Sequence, residues 1–344
     1  MAPREERQLK TGYRVPTPSL HCTTRKPTMK AINLELSKQH YAAGDSVEGE
    51  VALQLDDAIP CRGVRVRLNG YERACWSTGS GKTRVTFSEK LVYFKEQLTL
   101  FGRPPLPLTQ LAADSLQGFF SKDTYDRLDA GTHRYRFSYQ LPPVLPGCYQ
   151  SDTTGSQIEY QVVAYVDLPL KFDLKTTQPL AVYERPATTT SESVVATKQK
   201  SFLFNQQSSI EATLHLDKTT FFLGEKLSGW LDVANRSFKQ LEVARIELQR
   251  VEHLRAHAAT HDSVATVCSA AYPHCAVSAH SQKRLPVGSQ IPRDLCPSIQ
   301  QSKLVRVEYQ LRVVLQIPWA VDLKVIAPIV LLDPAGTPNV PSEV

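Results

Sequence analysis

Short runs in which apolar and polar residues alternate make up most of the chain. Valine or leucine alternates with arginine or asparagine over residues 64–69, and residues 243–251 show the same period of two. Because successive side chains of a strand point to opposite faces, this period is typical of a strand with one buried face and one wet face. Strands of this kind at turn spacing predict an all-β fold built of β-sandwiches.

One segment departs from this period. Between Leu108 and Leu128, leucine and phenylalanine recur at mixed spacings of three to four residues, directly after the proline-rich run 103–107. Proline cannot continue a strand ladder and often precedes a new element. We therefore expect a helix between Leu108 and Leu128.

The chain contains two copies of one unit. Residues 36–53 match residues 216–233 at a constant offset of 180, which places Gly44 over Gly224. The register continues without a gap to Glu72 over Glu252, and a second match pairs residues 158–162 with residues 307–311. Each of the two glycines lies between apolar strands, so we expect it to relieve backbone sterics in a turn. The repeat predicts two sandwiches in tandem.

The repeat and the composition divide the chain into five parts. We predict a disordered basic tail over residues 1–28, a first sandwich over 29–184, a linker or hinge with an entry strand over 185–204, a second sandwich over 205–335 and a short tail over 336–344. Residues 185–193 are polar and lack apolar periodicity, so no element is predicted between 185 and 200. A chain of 344 residues also suits two cores, since single cores stop growing near roughly 250 residues.

Charge and hydropathy exclude several classes of protein. The net charge is +6, but residues 1–28 hold six basic and two acidic residues, so +4 of it lies in the tail. The nearly neutral remainder argues against a nucleic-acid-binding protein. The N-terminus lacks the apolar core of a signal peptide, and the longest apolar runs, such as 325–332, are too short to span a membrane. We expect a soluble, cytosolic protein.

The cysteines and histidines predict neither disulfides nor a cofactor. The seven cysteines are scattered and never spaced C-x-x-C, which favours free thiols in a reducing compartment. One cluster has residue types that suit zinc, but its adjacent His-Cys pair fits no common ligand spacing, and a polar loop is the favoured interpretation. The cluster consists of His261, Cys268, His274, Cys275 and His280. No metal or other cofactor is predicted.

The segment Trp76–Val85 reads WSTGSGKTRV, and its Gly-Lys-Thr raises the question of a nucleotide site. A phosphate-binding loop needs a glycine where this chain has Trp76, and a helix after the lysine. Residues 84–94 are instead rich in β-branched and aromatic residues and predict a strand. We therefore expect a hairpin whose glycines supply positive φ, and a chain that neither binds nor hydrolyses nucleotides.

The residues 201–226 and 131–147, together with the gapless repeat, resemble the arrestin family, and in particular its arrestin-domain-containing or α-arrestin branch. The resemblance covers residues 29–334. It implies two arrestin-like sandwiches joined by a short hinge, without a catalytic site. It further implies a cytoplasmic, monomeric adaptor, recruited to the plasma membrane or endosomes, that docks on cytoplasmic segments of membrane receptors or transporters. Such adaptors recruit trafficking or ubiquitin-ligase machinery. The alternative is a stable subunit of an endosomal sorting coat such as retromer, one of whose subunits shares the fold.

The resemblance also suggests two contact regions. The hairpin lies where receptor-binding arrestins carry the loop that probes a receptor, so its tip is a candidate partner contact; a plain hairpin tip is the alternative. The tip consists of Gly79, Ser80, Gly81, Lys82 and Thr83. Basic residues near the first strand are candidate contacts for phosphates or anionic headgroups; a solvated polar face is the favoured alternative. These residues are Lys26, Lys30, Lys38, Arg65 and Arg67, with Arg62 nearby.

Two departures from the family pattern affect the expected mechanism. Receptor-binding arrestins are locked by an acidic cluster in the second domain, whereas Asp294 is the only acid between Ala276 and Leu304 here. We therefore expect no clamp between the domains, and a hinge at 185–200 that absorbs their relative motion. Many α-arrestins bind ligases through Pro-Pro-x-Tyr, whereas Pro-Pro occurs here only at 104 and 142.

Overall fold

The computed structural model describes residues 30–104, 125–169, 172–185, 192–202, 205–241, 244–272 and 276–334. Lys26 and residues 105–124, which include most of the candidate helix, lie outside these ranges. The last three positions of that candidate, Asp126–Leu128, form a strand, so the prediction of helix up to Leu128 is wrong there. The strand pairs with Ile59–Cys61, and such pairing overrides the weak local period.

The first sandwich is built from twelve strands of the described chain. In chain order these are β1 (Lys30–Leu36), β2 (His40–Ala42), β3 (Ser46–Leu55), β4 (Ile59–Cys61), β5 (Gly63–Thr78), β6 (Val85–Gly102), β7 (Asp126–Leu128), β8 (Gly131–Gln140), β9 (Tyr149–Gln150), β10 (Gln157–Asp167), β11 (Leu174–Pro179) and β12 (Ala181–Tyr183). One sheet has the order β1-β3-β8, and the other has the order β11-β10-β5-β6 with β9 paired to β10. Two small sheets, β12-β2 and β4-β7, complete the unit.

The second sandwich repeats this plan with nine strands. They are β13 (Val194–Phe202), β14 (Asn205–Leu216), β15 (Thr220–Phe222), β16 (Lys226–Asn235), β17 (Ala244–Ala256), β18 (Ala259–Tyr272), β19 (Ser281–Gln290), β20 (Val305–Leu315) and β21 (Leu323–Leu332). Its sheets have the orders β13-β14-β16-β19 and β15-β21-β20-β17-β18. A 3-10 turn lies at Gly81–Thr83, and no α-helix occurs in the described residues. The prediction of an all-β fold with two tandem sandwiches is confirmed.

The two copies make the same turn before β3 and β16. Gly44 has a φ of 80° and Gly224 a φ of 85°, values that favour glycine. The acidic residue after each glycine accepts a hydrogen bond from a backbone N–H three positions earlier: Asp45 from Ala42 at 3.0 Å and Glu225 from Phe222 at 2.9 Å. The expectation that these glycines serve as turn residues is therefore confirmed.

The tyrosine shared by the second pair of matching segments also has the same role twice. Tyr160 donates its hydroxyl to the carbonyl of Pro146 at 2.9 Å, and Tyr309 donates to the carbonyl of Cys296 at 2.6 Å. Both rings are 1% exposed, so each hydroxyl needs such a partner. The buried apolar residues of both sandwiches form one connected core.

The segment that joins the units is more ordered than the sequence predicts. β13 begins at Val194 and pairs with β14 from Val194 opposite Leu216 to Ser201 opposite Ser209. The expectation that no element lies between 185 and 200 is therefore wrong for 194–200. These residues alternate only weakly because they form an edge strand, which is exposed along much of its length.

Candidate functional site

The hairpin formed by β5 and β6 is the longest in the first sandwich. Its pairing runs from Gly63 opposite Gly102 to Thr78 opposite Val85, with two register shifts. A strand, not a helix, follows Lys82, and Gly79 and Gly81 have φ values of 78° and 55°. The prediction of a hairpin with positive-φ glycines is confirmed, and the backbone lacks the strand-to-helix geometry of a phosphate-binding loop.

The tip of this hairpin stands free of the sandwich. All residues from 77 to 86 are exposed. The turn is closed at Thr83, whose backbone N–H and hydroxyl both donate to the carbonyl of Ser80, at 3.1 Å and 2.9 Å. Two basic side chains, Lys82 and Arg84, lie on it beside Val85, which is 51% exposed. The tip therefore offers positive charge, backbone donors and one apolar side chain to a partner.

The base of the same hairpin contacts the second sandwich. Trp76 is only 4% exposed because its ring stacks between Phe87, at a centroid distance of 5.3 Å, and His261 of β18, at 5.7 Å. Glu89 of β6 accepts a hydrogen bond from the backbone N–H of His257, at the turn between β17 and β18. The exposed tip is thus carried on strands that are fixed against both domains.

Three carboxylates form hydrogen bonds across the junction between the sandwiches, two from the first domain and one from the second. Glu72 of β5 accepts hydrogen bonds from the backbone N–H groups of Lys303 and Leu304, at 3.1 Å and 3.2 Å, and from the hydroxyl of Ser302. Glu184 accepts from the N–H groups of Gln300 and Gln301, each at 3.1 Å. In this way residues 300–304 donate four backbone N–H groups to the first domain.

The third carboxylate crosses in the opposite direction. Glu252 of β17 accepts hydrogen bonds from the hydroxyl groups of Tyr149 and Ser151, at 2.5 Å and 2.9 Å. Arg250 lies 3.2 Å from Glu252 and 2.9 Å from Asp152. The expectation that nothing clamps the two domains is therefore wrong: the acids lie on the strands β5 and β17 and at Glu184, outside the segment 276–304 where the family pattern places them.

The candidate anion contacts do not form one basic face. Arg65 is 4% exposed; it is paired with Asp167 and donates to the carbonyl of Arg103 at 3.1 Å. Strand alternation predicted an outward, wet side chain, and this is wrong because Asp167 at the end of β10 and the Arg103 carbonyl after β6 bind the guanidinium. Arg62 also binds Asp167, at 3.0 Å.

The remaining candidates are dispersed. Arg67 is half-buried, with its guanidinium 3.3 Å from both Gln97 and the Tyr165 hydroxyl. Lys38 is exposed after β1, Lys30 begins β1, and Lys26 lies outside the described residues. Anion binding by Lys26, Lys30, Lys38 and Arg67 stays a prediction.

The residues of the suspected zinc cluster have other contacts. His261 stacks on Trp76, and His280 meets the ring of Phe238 edge-on at 4.6 Å. Cys268 lies 3.8 Å from the hydroxyl of Ser289, whereas His274 and Cys275 are outside the described residues. Across the part of the chain that the structure describes, no three His, Cys, Asp or Glu side chains are grouped to hold a metal ion.

The described cysteines are free thiols, and three of them lie where burial suppresses their reactivity. Burial raises the pKa of Cys61 and of Cys148 to about 11, and that of Cys296 to about 12. Because the thiolate is the nucleophile, these three groups are protonated and unreactive near neutral pH.

The far end of the second sandwich carries an apolar feature that the sequence analysis missed. Trp319 is 99% exposed and has a φ of 59°, and Val321 is 77% exposed. Lys239 donates to the carbonyl of Pro318 at 2.6 Å, and Lys200 donates to that of Val321. The two ammonium groups thus bind carbonyls on either side of Trp319 along the chain. The sequence signal for this exposed apolar segment was the run Pro318–Val321 between two clearly predicted strands.

No helix of the described ranges is long and apolar enough to cross a membrane.

Two family models match this chain. The model described as "Arrestin (or S-antigen), N-terminal domain" matches residues 31–186, and the one described as "Arrestin (or S-antigen), C-terminal domain" matches residues 206–335. Both matches coincide with the two sandwiches. They leave residues 187–205, which include all of β13, unmatched.

Curated relatives carry the same description. "Arrestin domain-containing protein A" of Dictyostelium discoideum is 26% identical over 88% of this chain and 51% of its own length. "Arrestin domain-containing protein 17" of Caenorhabditis elegans is 24% identical over 67% of this chain and 53% of its own length. "Arrestin domain-containing protein 5" of Bos taurus is 22% identical over 88% of this chain and 91% of its length. The chain spans about half the length of the first two relatives.

Proposed function

This chain belongs to the arrestin family and is similar to its arrestin domain-containing proteins, and from this premise we propose that it is a non-enzymatic adaptor. In the proposed role it docks on cytoplasmic segments of membrane receptors or transporters. It then links them to trafficking, endocytic or ubiquitylation machinery.

The observation that carries the proposal is the contrast between the tip and the base of the β5–β6 hairpin. The base is fixed by Trp76 and Glu89 against the second domain, whereas residues 77–86 are exposed without exception. Binding residues are often placed on loops that a rigid scaffold positions. The positive side chains of Lys82 and Arg84 suit an acidic or phosphorylated segment of a membrane protein.

The exposed end of the second domain supports recruitment to a membrane surface. Tryptophan favours the boundary between headgroups and acyl chains, and lysine favours anionic headgroups. Trp319 and Val321 are exposed, and Lys200 and Lys239 bind carbonyls of the same segment, so in the proposed contact the apolar side chains enter the surface and the ammonium groups meet the headgroups. We propose that this end makes the peripheral membrane contact of the adaptor.

Replacing residues 79–84 by Asn-Gly tests the role of the tip, because this dipeptide closes a hairpin in a tight turn and removes both basic side chains. We expect proximity labelling in cells to lose membrane-protein partners at least severalfold, with no change in thermal stability. Lys226→Ala, which removes an exposed lysine of the second domain, is the matched control and should label the parent's partners. Capture of the same partners by the shortened hairpin would contradict the proposal.

Two further readouts separate the adaptor from its alternatives. The purified adaptor should be a monomer by light scattering, whereas stoichiometric co-purification with a fixed partner would indicate a coat subunit. Trp319→Ser with Val321→Ser should weaken sedimentation with phosphatidylserine-containing vesicles and leave the parent's labelled partners detectable after solubilisation. Unchanged sedimentation would exclude this end as the membrane contact.

A further inference from the structure

We propose that a reciprocal pair of buried glutamates, Glu72 and Glu252, fixes the angle between the two domains. Each glutamate belongs to one copy of the repeat and is bound by a segment of the other copy. Glu72 is bound by the segment that precedes β20, and Glu252 is bound by the segment that precedes β10. We refer to Glu72 and Glu252, with their donor segments 302–304 and 149–151, as the glutamate clamp. The clamp is a property of the isolated chain and does not depend on the proposed adaptor role.

The two glutamates are structurally equivalent. They are 180 residues apart, and each lies opposite the same repeat position on the neighbouring strand: Glu72 opposite Ile158 and Glu252 opposite Val307. Both point inward, on the face where β5 places Val64, Val66 and Leu68 and where β17 places Ile246, Leu248 and Leu254, together with Arg250. Their exposures are 0% and 2%. A carboxylate at such a position costs free energy unless several donors satisfy it.

The donors to Glu72 come chiefly from the backbone. Both carboxylate oxygens are used, since Lys303 N–H meets one while Leu304 N–H and the Ser302 hydroxyl meet the other. Backbone donors are independent of the side chains at 303 and 304, so this half of the clamp depends on the position of the loop backbone. Charge-assisted hydrogen bonds of this kind are stronger than neutral ones and have a defined direction.

The donors to Glu252 are side chains. Burial, followed by the hydrogen bond to Glu252, raises the pKa of Tyr149, so its hydroxyl stays protonated and continues to donate. Ser151 donates to the second oxygen, and Arg250, with 9% of its side chain exposed, balances the charge from the same strand. The pair between Arg250 and Asp152 also crosses the junction, but Asp152 is 74% exposed, and exposed pairs contribute little.

One glutamate reaches from the first domain to the second and the other reaches from the second to the first, and together they restrict the junction more than either one alone. A single directional contact leaves rotation about its own axis open, whereas the second contact, which is made from the other domain, removes that freedom. Because both carboxylates are buried, a small rotation separates charged groups from their donors without letting water replace them fully. The two halves therefore hold or fail together.

Hydrogen exchange of the full chain tests this reciprocity. In Glu72→Gln we expect the backbone amides of Lys303 and Leu304 to exchange at least about tenfold faster, because the charge that holds them is lost. The amides of 149–152, on the other half, should also exchange faster. Glu252→Gln should produce the same double effect. The distance distribution between labels at Glu48 and Lys226, one in each domain, should broaden in both variants.

Matched controls are available on solvent-facing sheets away from the junction. Glu50→Gln removes a carboxylate bound to Arg134 at 2.8 Å, and Asp232→Asn removes one bound to Arg284 at 2.7 Å and 2.9 Å. Neither should alter exchange at 149–152 or 300–304. If each clamp variant changes only its own loop, or if the label distances stay sharp, the proposal is wrong.

A milder pair of variants keeps the test decisive should a glutamate substitution prevent folding. Tyr149→Phe removes one donor to Glu252, and Ser302→Ala removes one donor to Glu72, while both carboxylates remain. Each should accelerate exchange on both sides of the junction by a smaller factor than the glutamate variants. An effect restricted to the altered loop would overturn the clamp.

Discussion

The two long hairpins of this chain are one repeated element with two different ends. β5–β6 and β17–β18 occupy the same place in their sandwiches, and each carries an inward glutamate that crosses to the other domain. The first hairpin ends in residues 79–84, all of which are exposed, whereas the second ends in the two residues 257 and 258. The repeated strand has kept its position at the junction, while the tips have diverged.

The tips also differ in the residue that adopts a left-handed backbone conformation. Gly81 and His257 both have a φ of 55°, which glycine adopts freely and histidine does not. A side chain at Gly81 would meet no atom within 4 Å, in keeping with an open tip. His257 is instead held by the hydrogen bond from its N–H to Glu89 of the first hairpin. One tip is available to partners, and the other is part of the contact between domains.

The largest effect is expected where the two hairpins are most alike. Glu252→Ala leaves the buried Arg250 without its neighbouring carboxylate and should lower the free energy of unfolding by about 3 kcal/mol, the lower end of the range for broken buried pairs, because Asp152 remains. Glu72→Ala leaves only neutral donors unpaired, and we expect a loss of about 1–3 kcal/mol. Denaturant unfolding measures both values.

Glu50→Gln serves as the reference for this pair, since its partners Arg134 and Arg136 are exposed. Such exposed pairs contribute little to stability. If Glu252→Ala lowers the free energy of unfolding no more than this reference, then Glu252 is not held as a buried charge. The two hairpins then share a backbone position but not the role of its glutamate.

The next effect compares the two tips at the same φ. His257→Gly should stabilise the chain by about 0.5–1 kcal/mol, because the left-handed conformation no longer strains a side chain. Gly81→Ala should destabilise it by about 1 kcal/mol for the same reason in reverse. Gly288→Ala is the control, since its β-carbon would lie at an ordinary 3.5 Å from the Leu227 carbonyl. A destabilised His257→Gly variant would show that the imidazole itself supports the junction.

Most of the fold follows from two features of the sequence. The period of two located the strands and their buried faces, and the repeat predicted two sandwiches with the same turn at Gly44 and Gly224, as the structure shows. The same reasoning separated the Gly-Lys-Thr tip from a phosphate-binding loop, since a strand follows Lys82. Local pattern and long-range pairing agree at these places, and for this reason the sequence suffices there.

The junction could not be predicted in the same way. Alternation says which face a residue occupies but not what covers that face, so Arg65 was expected in water and is buried beside Asp167. The clamp did leave a signal, because a glutamate interrupts the apolar inward positions at Glu72 and again at Glu252. Two inward acids at one repeat position indicate partners from outside the sandwich, although they do not identify the donor loops.

The smallest predicted effect is a change in pH dependence at Glu184, the third carboxylate of the junction. Burial raises the pKa of Glu184 above 4.5, although N–H groups of Gln301 and Gln300 act in the opposite direction. The folded chain therefore takes up a proton at a higher pH than the unfolded chain. The stability of the parent increases as pH falls through the raised pKa of Glu184, and the increase is complete below about pH 4.5.

Glu184→Gln should unfold at a slightly higher temperature than the parent at pH 7, and this difference should shrink towards pH 4.5. Glu50→Gln is the control of opposite sign, because Arg134 lowers the pKa of Glu50 and that variant should be the less stable one at pH 7. A difference for Glu184→Gln that stays constant between pH 7 and pH 4.5 would show that Glu184 is not buried at the junction as Glu72 and Glu252 are.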